Sequence, residues 1–184
     1  MNRLNVPFAA LLIFTLIFGL LAPAAPTARA EGEPVPSEEL GWVLVSNAAE
    51  LIYIDQNQAS YLDRNIRLTN DIDMTGYEWI PLGGNDAEPF SGIFDGRGHR
   101  IEGVSIDGGS LQFVGFFGKL TGTGRDLSVS VQAAGGNYAG GMAGHLDGGT
   151  IVRSSAQGIV TGGNGGPAGV SAAGGLAGAA NGNS

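Results

Sequence analysis

A short glycine phrase returns three times between Phe113 and Gly178, and no other feature restricts the fold of this chain as strongly. It reads FVGFFGKL at 113–120, GGMAGHL at 140–146 and GGLAG at 174–178. Each copy sets two glycines three residues apart around two apolar residues: Gly115 and Gly118, Gly141 and Gly144, Gly175 and Gly178. The first two copies lie 26 residues apart and the last two 34 apart. Recurrence at such a period marks a solenoid, in which each coil buries its apolar face only against its neighbours. The expectation is an all-β β-solenoid. Repeats of this kind build surfaces more readily than enclosed catalytic pockets.

The first thirty residues read as a secretory signal peptide. Asn2 and Arg3 open it, an apolar run extends from Val6 to Leu21, Pro23 and Pro26 break the run, and Ala28-Arg29-Ala30 has the small-x-small form of a peptidase site. Cleavage is expected after Ala30. The run is shorter than the roughly 20 apolar residues a spanning helix needs, and no later stretch is long or apolar enough to span. The remainder carries all 17 acidic residues and seven of the nine basic ones, a net charge of −10. Such a surface repels phosphate backbones and anionic lipid, which argues against nucleic-acid binding. With no cysteine, neither disulfides nor a lipoprotein anchor can operate, so burial and backbone pairing must hold the fold.

Beyond the signal, 31–44 reads as an acidic leader and a first strand containing Trp42. Ser46 and Asn47 are good N-caps and Glu50 follows Asn47 by three, a capping-box spacing that predicts a helix to about Gln58. A short helix before a series of strands suits a plug over the N-terminal end of a solenoid. From Tyr61 strands dominate. Ile66, Leu68, Ile72 and Met74 share one parity, and Trp79 to Leu82 forms a short apolar run in which Pro81 indicates an edge or corner. At 91–106 a strand, a tight turn and a second strand are expected, with Asp95, Gly96 and Gly98 supplying the corner. Most of the 33 glycines lie from Gly92 onward. Up to Thr161 apolar residues recur between them, so 45–161 is read as solenoid with its cap. The stretch 162–184 is read as a glycine-rich loop and an incomplete third repeat, poorly ordered, through whose uncapped end self-association would begin.

The phrases GGMAGHL and GGLAG, with GTIVRSSAQGIVTGG at 149–163 between them, resemble the GLUG repeat of bacterial secreted and surface proteins. NAAEL at 47–51, DIDM at 71–74 and FDGRGHRI at 94–101 are similar to the segment that often precedes such repeats. The resemblance implies a right-handed parallel β-helix or closely related β-solenoid. It also implies an adhesin-like or structural role, since these repeats occur in surface proteins and in non-catalytic N-terminal regions of extracellular metallopeptidases. Phe116-Phe117 in the first copy departs from the small or single apolar residues usual there.

No catalytic constellation stands out. H-E-x-x-H, G-x-S-x-G and the P-loop are all missing, and Gly163, Gly165 and Ala168 match a dinucleotide fingerprint only across Gly166-Pro167, which cannot open a helix. His99 falls at the FDGRGH corner, where its ring is expected to bond the turn backbone. His145 occupies the repeat position of Lys119 and should face outward. Asp71 and Asp73 share a parity and could bind Ca²⁺, but turn-amide acceptance is the simpler role. Trp79, Phe90, Phe94, Phe113, Phe116 and Phe117 are read as core. A β-helix polysaccharide-degrading enzyme would need a base beside acidic ligands, and Lys119 is the only lysine. The expectation is a non-enzymatic secreted or cell-surface module without catalytic residues, metal or cofactor. Its partner would be an extracellular ligand or cell-envelope component, carbohydrate or protein.

Overall fold

The computed structural model describes residues 33–163 and 172–181. The expected signal peptide and cleavage position, and most of the glycine-rich loop, lie outside the described residues. Two compact units divide the chain at Glu33, and the described fold belongs to the second.

In chain order the elements are β1 (Ser37–Glu39), β2 (Trp42–Val45), α1 (Ala48–Gln56), β3 (Asn65–Leu68), β4 (Ile72–Asp73), β5 (Ile93–Asp95), β6 (Arg100–Asp107), β7 (Phe113–Val114) and β8 (Phe117–Leu120). There follow β9 (Thr123–Arg125), β10 (Ser128–Gly135), β11 (Tyr138–Gly140), β12 (Ala143–Asp147), β13 (Thr150–Val152), β14 (Ser155–Gly162), β15 (Ala172–Gly174) and β16 (Ala177–Asn181). They stack into a β-solenoid of about 4 turns. One face is the ladder β2-β3-β5-β9-β13, a second is β4-β6-β10-β14, and two short faces are β7-β11-β15 and β8-β12-β16. Every pairing among these is parallel; Thr123 opposes Thr150 and Ser128 opposes Ser155, so one coil takes 27 residues there.

Period-two alternation gives each strand its inward side. In β10, SVSVQAAG, Val129, Val131 and Ala133 are buried while Ser128, Ser130, Gln132 and Ala134 are exposed. Five of the six aromatic residues read as core fill the interior, Trp79, Phe90, Phe94, Phe116 and Phe117. Phe113 is also buried, but under Tyr138 and His145 on the outer side of β7, where Val114 takes the inward place. Trp79 stacks on Phe116 with ring centroids 4.9 Å apart, and its indole N–H donates to the Phe116 carbonyl at 2.9 Å, so the one polar atom of the ring is satisfied. Along the axis the interior narrows: Phe117 is followed in register by Ala143 and Ala177, and Phe94 by Gly124. Phe116-Phe117, the departure noted in the first repeat, packs in this core against Phe90 and Phe94.

The N-terminal end is closed twice. β1 adds to β2 antiparallel and sets Glu38 and Glu39 on the outermost edge, where charge discourages further strand pairing. Between β2 and β3 the chain runs through α1 and a short 3-10 turn rather than through strands. Asn47 is the N-cap, accepting from the Glu50 N–H at 3.0 Å, and Glu50 reaches back to the Ser46 N–H at 2.7 Å, one residue earlier than a standard capping box. Leu51 and Ile54 of α1 are fully buried in the core. The helix side also supplies side-chain acceptors to the first coil: the Ile80 N–H donates to Asp55 Oδ2 at 3.3 Å and the Gly83 N–H to Gln58 Oε1 at 3.2 Å. These replace the carbonyls that a preceding strand would offer.

Two expectations need correction. At the 95–99 corner the positive φ values belong to Arg97 and Gly98, not Gly96. Gly96 is required by space instead, since an added Cβ would sit 2.7 Å from the Leu127 Cα. Asp95 accepts the Arg97 N–H at 3.0 Å and closes the turn. The His99 ring does not bond the turn backbone; its Nδ1 lies 3.1 Å from Asp71 Oδ1, while the His99 backbone N–H donates to the Gly96 carbonyl. Within the stretch read as a glycine-rich loop and incomplete third repeat, the described residues place β14 up to Gly162 and the third glycine phrase between β15 and β16, paired with β11 and β12.

Candidate functional site

The glycine phrase sits where the two short faces meet, in the bends between β7 and β8, β11 and β12, and β15 and β16. None of its paired glycines has a positive φ; what they provide is room between coils. A Cβ on Gly118 would lie 2.6 Å from the Gly83 carbonyl oxygen, and one on Gly144 would lie 2.5 Å from the Val114 nitrogen, both in the preceding coil. A Cβ on Gly178 would meet the Ala139 nitrogen at 2.6 Å in the same way. The first glycine of each pair faces the following coil: Gly115 toward Gly140 and Gly144 at 2.8 Å, Gly141 toward the Gly175 carbonyl at 2.5 Å. Gly175, in the last described coil, has nothing within 4 Å. The pair therefore interlocks successive coils, one glycine backward and one forward.

On the outer side of the first face, charges alternate along the axis. Arg67, Asp95 and Arg125 occupy one register position in β3, β5 and β9. Asp95 is 6 % exposed and lies 2.9 Å from Arg125 and 3.7 Å from Arg67. The Arg67 guanidinium stacks 3.9 Å from the Trp42 ring centroid. One position further on, Arg153 forms a two-bond pair with Asp126, which holds the Asp126 carboxyl below its usual range.

Lys119 and His145 do oppose each other in register. Lys119 is drawn between Asp86 and Asp147, each 3.0 Å from Nζ, and those partners, Asp86 first, raise its pKa. His145 stacks against Phe113 and Tyr138 with centroids 5.0 and 6.0 Å away. This cluster is a surface ion pair beside an aromatic stack and lacks a nucleophile with a base. Asp73 accepts the Thr75 N–H at 2.9 Å, the turn role expected for it. Among the described residues no group of His, Cys, Asp and Glu is arranged to hold a metal.

Asp71 leads to a different feature. Its carboxylate accepts the Arg100 N–H at 3.2 Å and the His99 ring contact, and these, the backbone bond first, hold its pKa down. Arg100 Nε lies 3.3 Å from Asp71 and 3.0 Å from Glu102. From there the outer side of the second face continues as two polar rows. Arg100 opposes Ser128 and Ser128 opposes Ser155; Ser130 opposes Gln157, with Glu102 at the same level on β6. A bulge in β6 beside Val129/Val131 kinks this level; Gly103 there has φ +69°, and an added Cβ would strike the Thr75 backbone. Together these residues line an open groove of about 390 Å³ on the solenoid wall. Sequence reasoning reached Asp71 and His99 and missed the rows. The available signal was the recurrence of Ser128 as Ser155 and of Ser130 as Gln157 at the coil spacing.

Interlocked glycine bends and chemistry confined to the outer walls define a parallel β-solenoid with an open polar groove. No protein-family model matches the chain. It is similar to Halomucin of Haloquadratum walsbyi (strain DSM 16790 / HBSQ001), at 36 % identity over 134 residues. That match covers 65 % of this chain and 1 % of Halomucin, so the chain corresponds to a very small part of that protein. Among solved structures, a Bacteroides ovatus protein proposed to be an immunoglobulin A1 protease aligns over 76 % of this chain and 62 % of its own, at 20 % identity and a TM-score of 0.45.

Proposed function

We propose that this chain is a non-enzymatic module of a secreted or cell-surface protein, a GLUG-type solenoid that serves as a stalk or adhesive wall. The supporting observation is the interlock of the glycine phrases, in which Gly118 and Gly144 bring backbones of adjacent coils too close for any side chain. Sequence invested in coil-to-coil contact makes a stiff, extendable wall. The polar side chains face outward from that wall rather than into an enclosed site, where catalysis could exclude water and hold groups preorganised. The similarity to a short part of a far longer protein fits a modular role.

The secretory part of this reading has its own prediction. Expressed in an exporting bacterium, the protein should be recovered outside the cytoplasm with Glu31 as its first residue. A cytoplasmic product that retains residues 1–30 would contradict it. The non-enzymatic part is tested by incubating the exported protein with soluble polysaccharides and following their size distribution, which should not change. Shortened chains would overturn that part.

A further inference from the structure

We infer that the groove on the second face is a binding site for an uncharged polysaccharide lying along the solenoid axis. The inference rests on the adhesive reading above and adds to it a ligand class and a location. Three observations carry it.

The first is periodicity. Arg100, Ser128 and Ser155 form one row and Glu102, Ser130 and Gln157 a second, each with one residue per coil. Adjacent strands are about 4.8 Å apart, close to the length of one sugar ring. A polymer of rings running along the axis can thus meet an equivalent pair of polar groups at each successive unit. A compact ligand could not use this repetition.

The second is the supply of unused hydrogen bonds. Ser130 and Gln157 are exposed, and their side chains have no protein partner among the described residues. Ser128 and Ser155 bond each other at 3.1 Å, and a hydroxyl pair of that kind still offers a donor and free lone pairs. Donors and acceptors are therefore interspersed at close spacing, which suits vicinal hydroxyls, each of which donates and accepts. Gly98 of the 95–99 corner and Asp71 border the strip on one side.

The third is charge. Arg100 is already shared by Asp71 and Glu102, so the groove carries two carboxylates against one guanidinium in a chain of net charge −8. A uronate or sulfated polymer would meet repulsion at the Asp71 and Glu102 end and no compensating cation at the Ser128, Ser130, Ser155 and Gln157 levels. The groove has no aromatic platform, so each ring contributes little, and binding depends on engaging several rings at once.

The test is a glycan microarray printed with neutral, uronate-containing and sulfated oligosaccharides of graded length, probed with the full chain. Signal is expected on neutral glycans, rising with length, and not on the anionic ones. Ser130→Leu, a substitution at an exposed position that fills the groove without a hydrogen-bonding group or an aromatic face, should lower that signal at least tenfold while the far-ultraviolet circular dichroism and melting temperature stay unchanged. Silence across the neutral set overturns the inference, as does preference for the anionic set. Undiminished binding by folded Ser130→Leu protein overturns it as well. The outcomes separate the two readings: depolymerisation of a bound neutral glycan would sink the non-enzymatic reading and leave the groove, whereas export without glycan binding would sink only the groove.

Discussion

At the residue scale, one residue type serves opposite ends of the same motif for the same steric reason. Gly118 exists because the backbone of residues 83–84 lies where its Cβ would be; Gly175, the forward-facing glycine of the third phrase, meets nothing. This yields a paired prediction. Gly118→Ala should destabilise the fold by about 1–3 kcal/mol, because two backbones must separate. Gly175→Ala should be neutral or gain about 0.4–1 kcal/mol through reduced freedom of the unfolded chain. Chemical denaturation of the two variants decides the matter, and equal losses would mean that the glycines act through backbone freedom rather than contact. The glycine pairs were legible in the sequence as a motif, but a spacing of three could not tell a turn from a contact. Only the coil above and the coil below, far away in sequence, distinguish them. The same limit hid the reason for Gly96, whose neighbour Leu127 lies one coil away.

At the scale of elements, the N-terminal plug shows how a helix ends a stack of strands. Leu51 and Ile54 cover the core, while Asp55 and Gln58 accept the N–H groups of Ile80 and Gly83. The cost is a buried carboxylate: desolvation raises the Asp55 pKa to about 6, against the lowering effect of its hydrogen bonds to Gln58 and Ile80. A raised carboxyl pKa means that the folded state binds the proton more tightly than the unfolded chain. Its stabilising contribution is complete below about pH 3.8 and disappears as pH rises through about 6. Asp71, Asp86 and Asp126, whose pKa values are lowered, contribute in the opposite sense and lose their effect only in acid. Melting temperature should therefore be higher near pH 5 than near pH 7. Asp55→Asn should flatten that slope and raise stability at neutral pH by at most about 3 kcal/mol, since one unit is worth about 1.4 kcal/mol. A wild-type protein with a flat profile over this range would refute the account of the plug. The helix itself was legible because capping chemistry is local, as in Asn47 and Glu50. Its task of satisfying edge amides at residues 80 and 83 was not, because acceptance across 25 residues leaves no local pattern.

At the scale of the whole molecule, parallel stacking converts a 27-residue recurrence into a wall with one residue per coil at each level. The inward half of that recurrence was readable: Val129, Val131 and Ala133 alternate with polar residues, and of the aromatic residues read as core only Phe113 lies elsewhere, under Tyr138 and His145. The outward half was not, because serines and glutamines on a solvated face obey no packing rule, and Ile159, an apolar member of the repeat, is 68 % exposed. The central claim is the register itself, and the absence of cysteine from the chain makes it directly measurable. In a Ser128→Cys, Ser155→Cys protein the two thiols replace hydroxyls 3.1 Å apart on neighbouring parallel strands, within the separation a disulfide can bridge. Mild oxidation should close that bond almost completely, while a Ser128→Cys, Ile159→Cys protein, with its second thiol four residues further along β14, should stay reduced. Closure of the second pair to the same extent, or failure of the first to close in folded protein, would contradict the stacked coil described here.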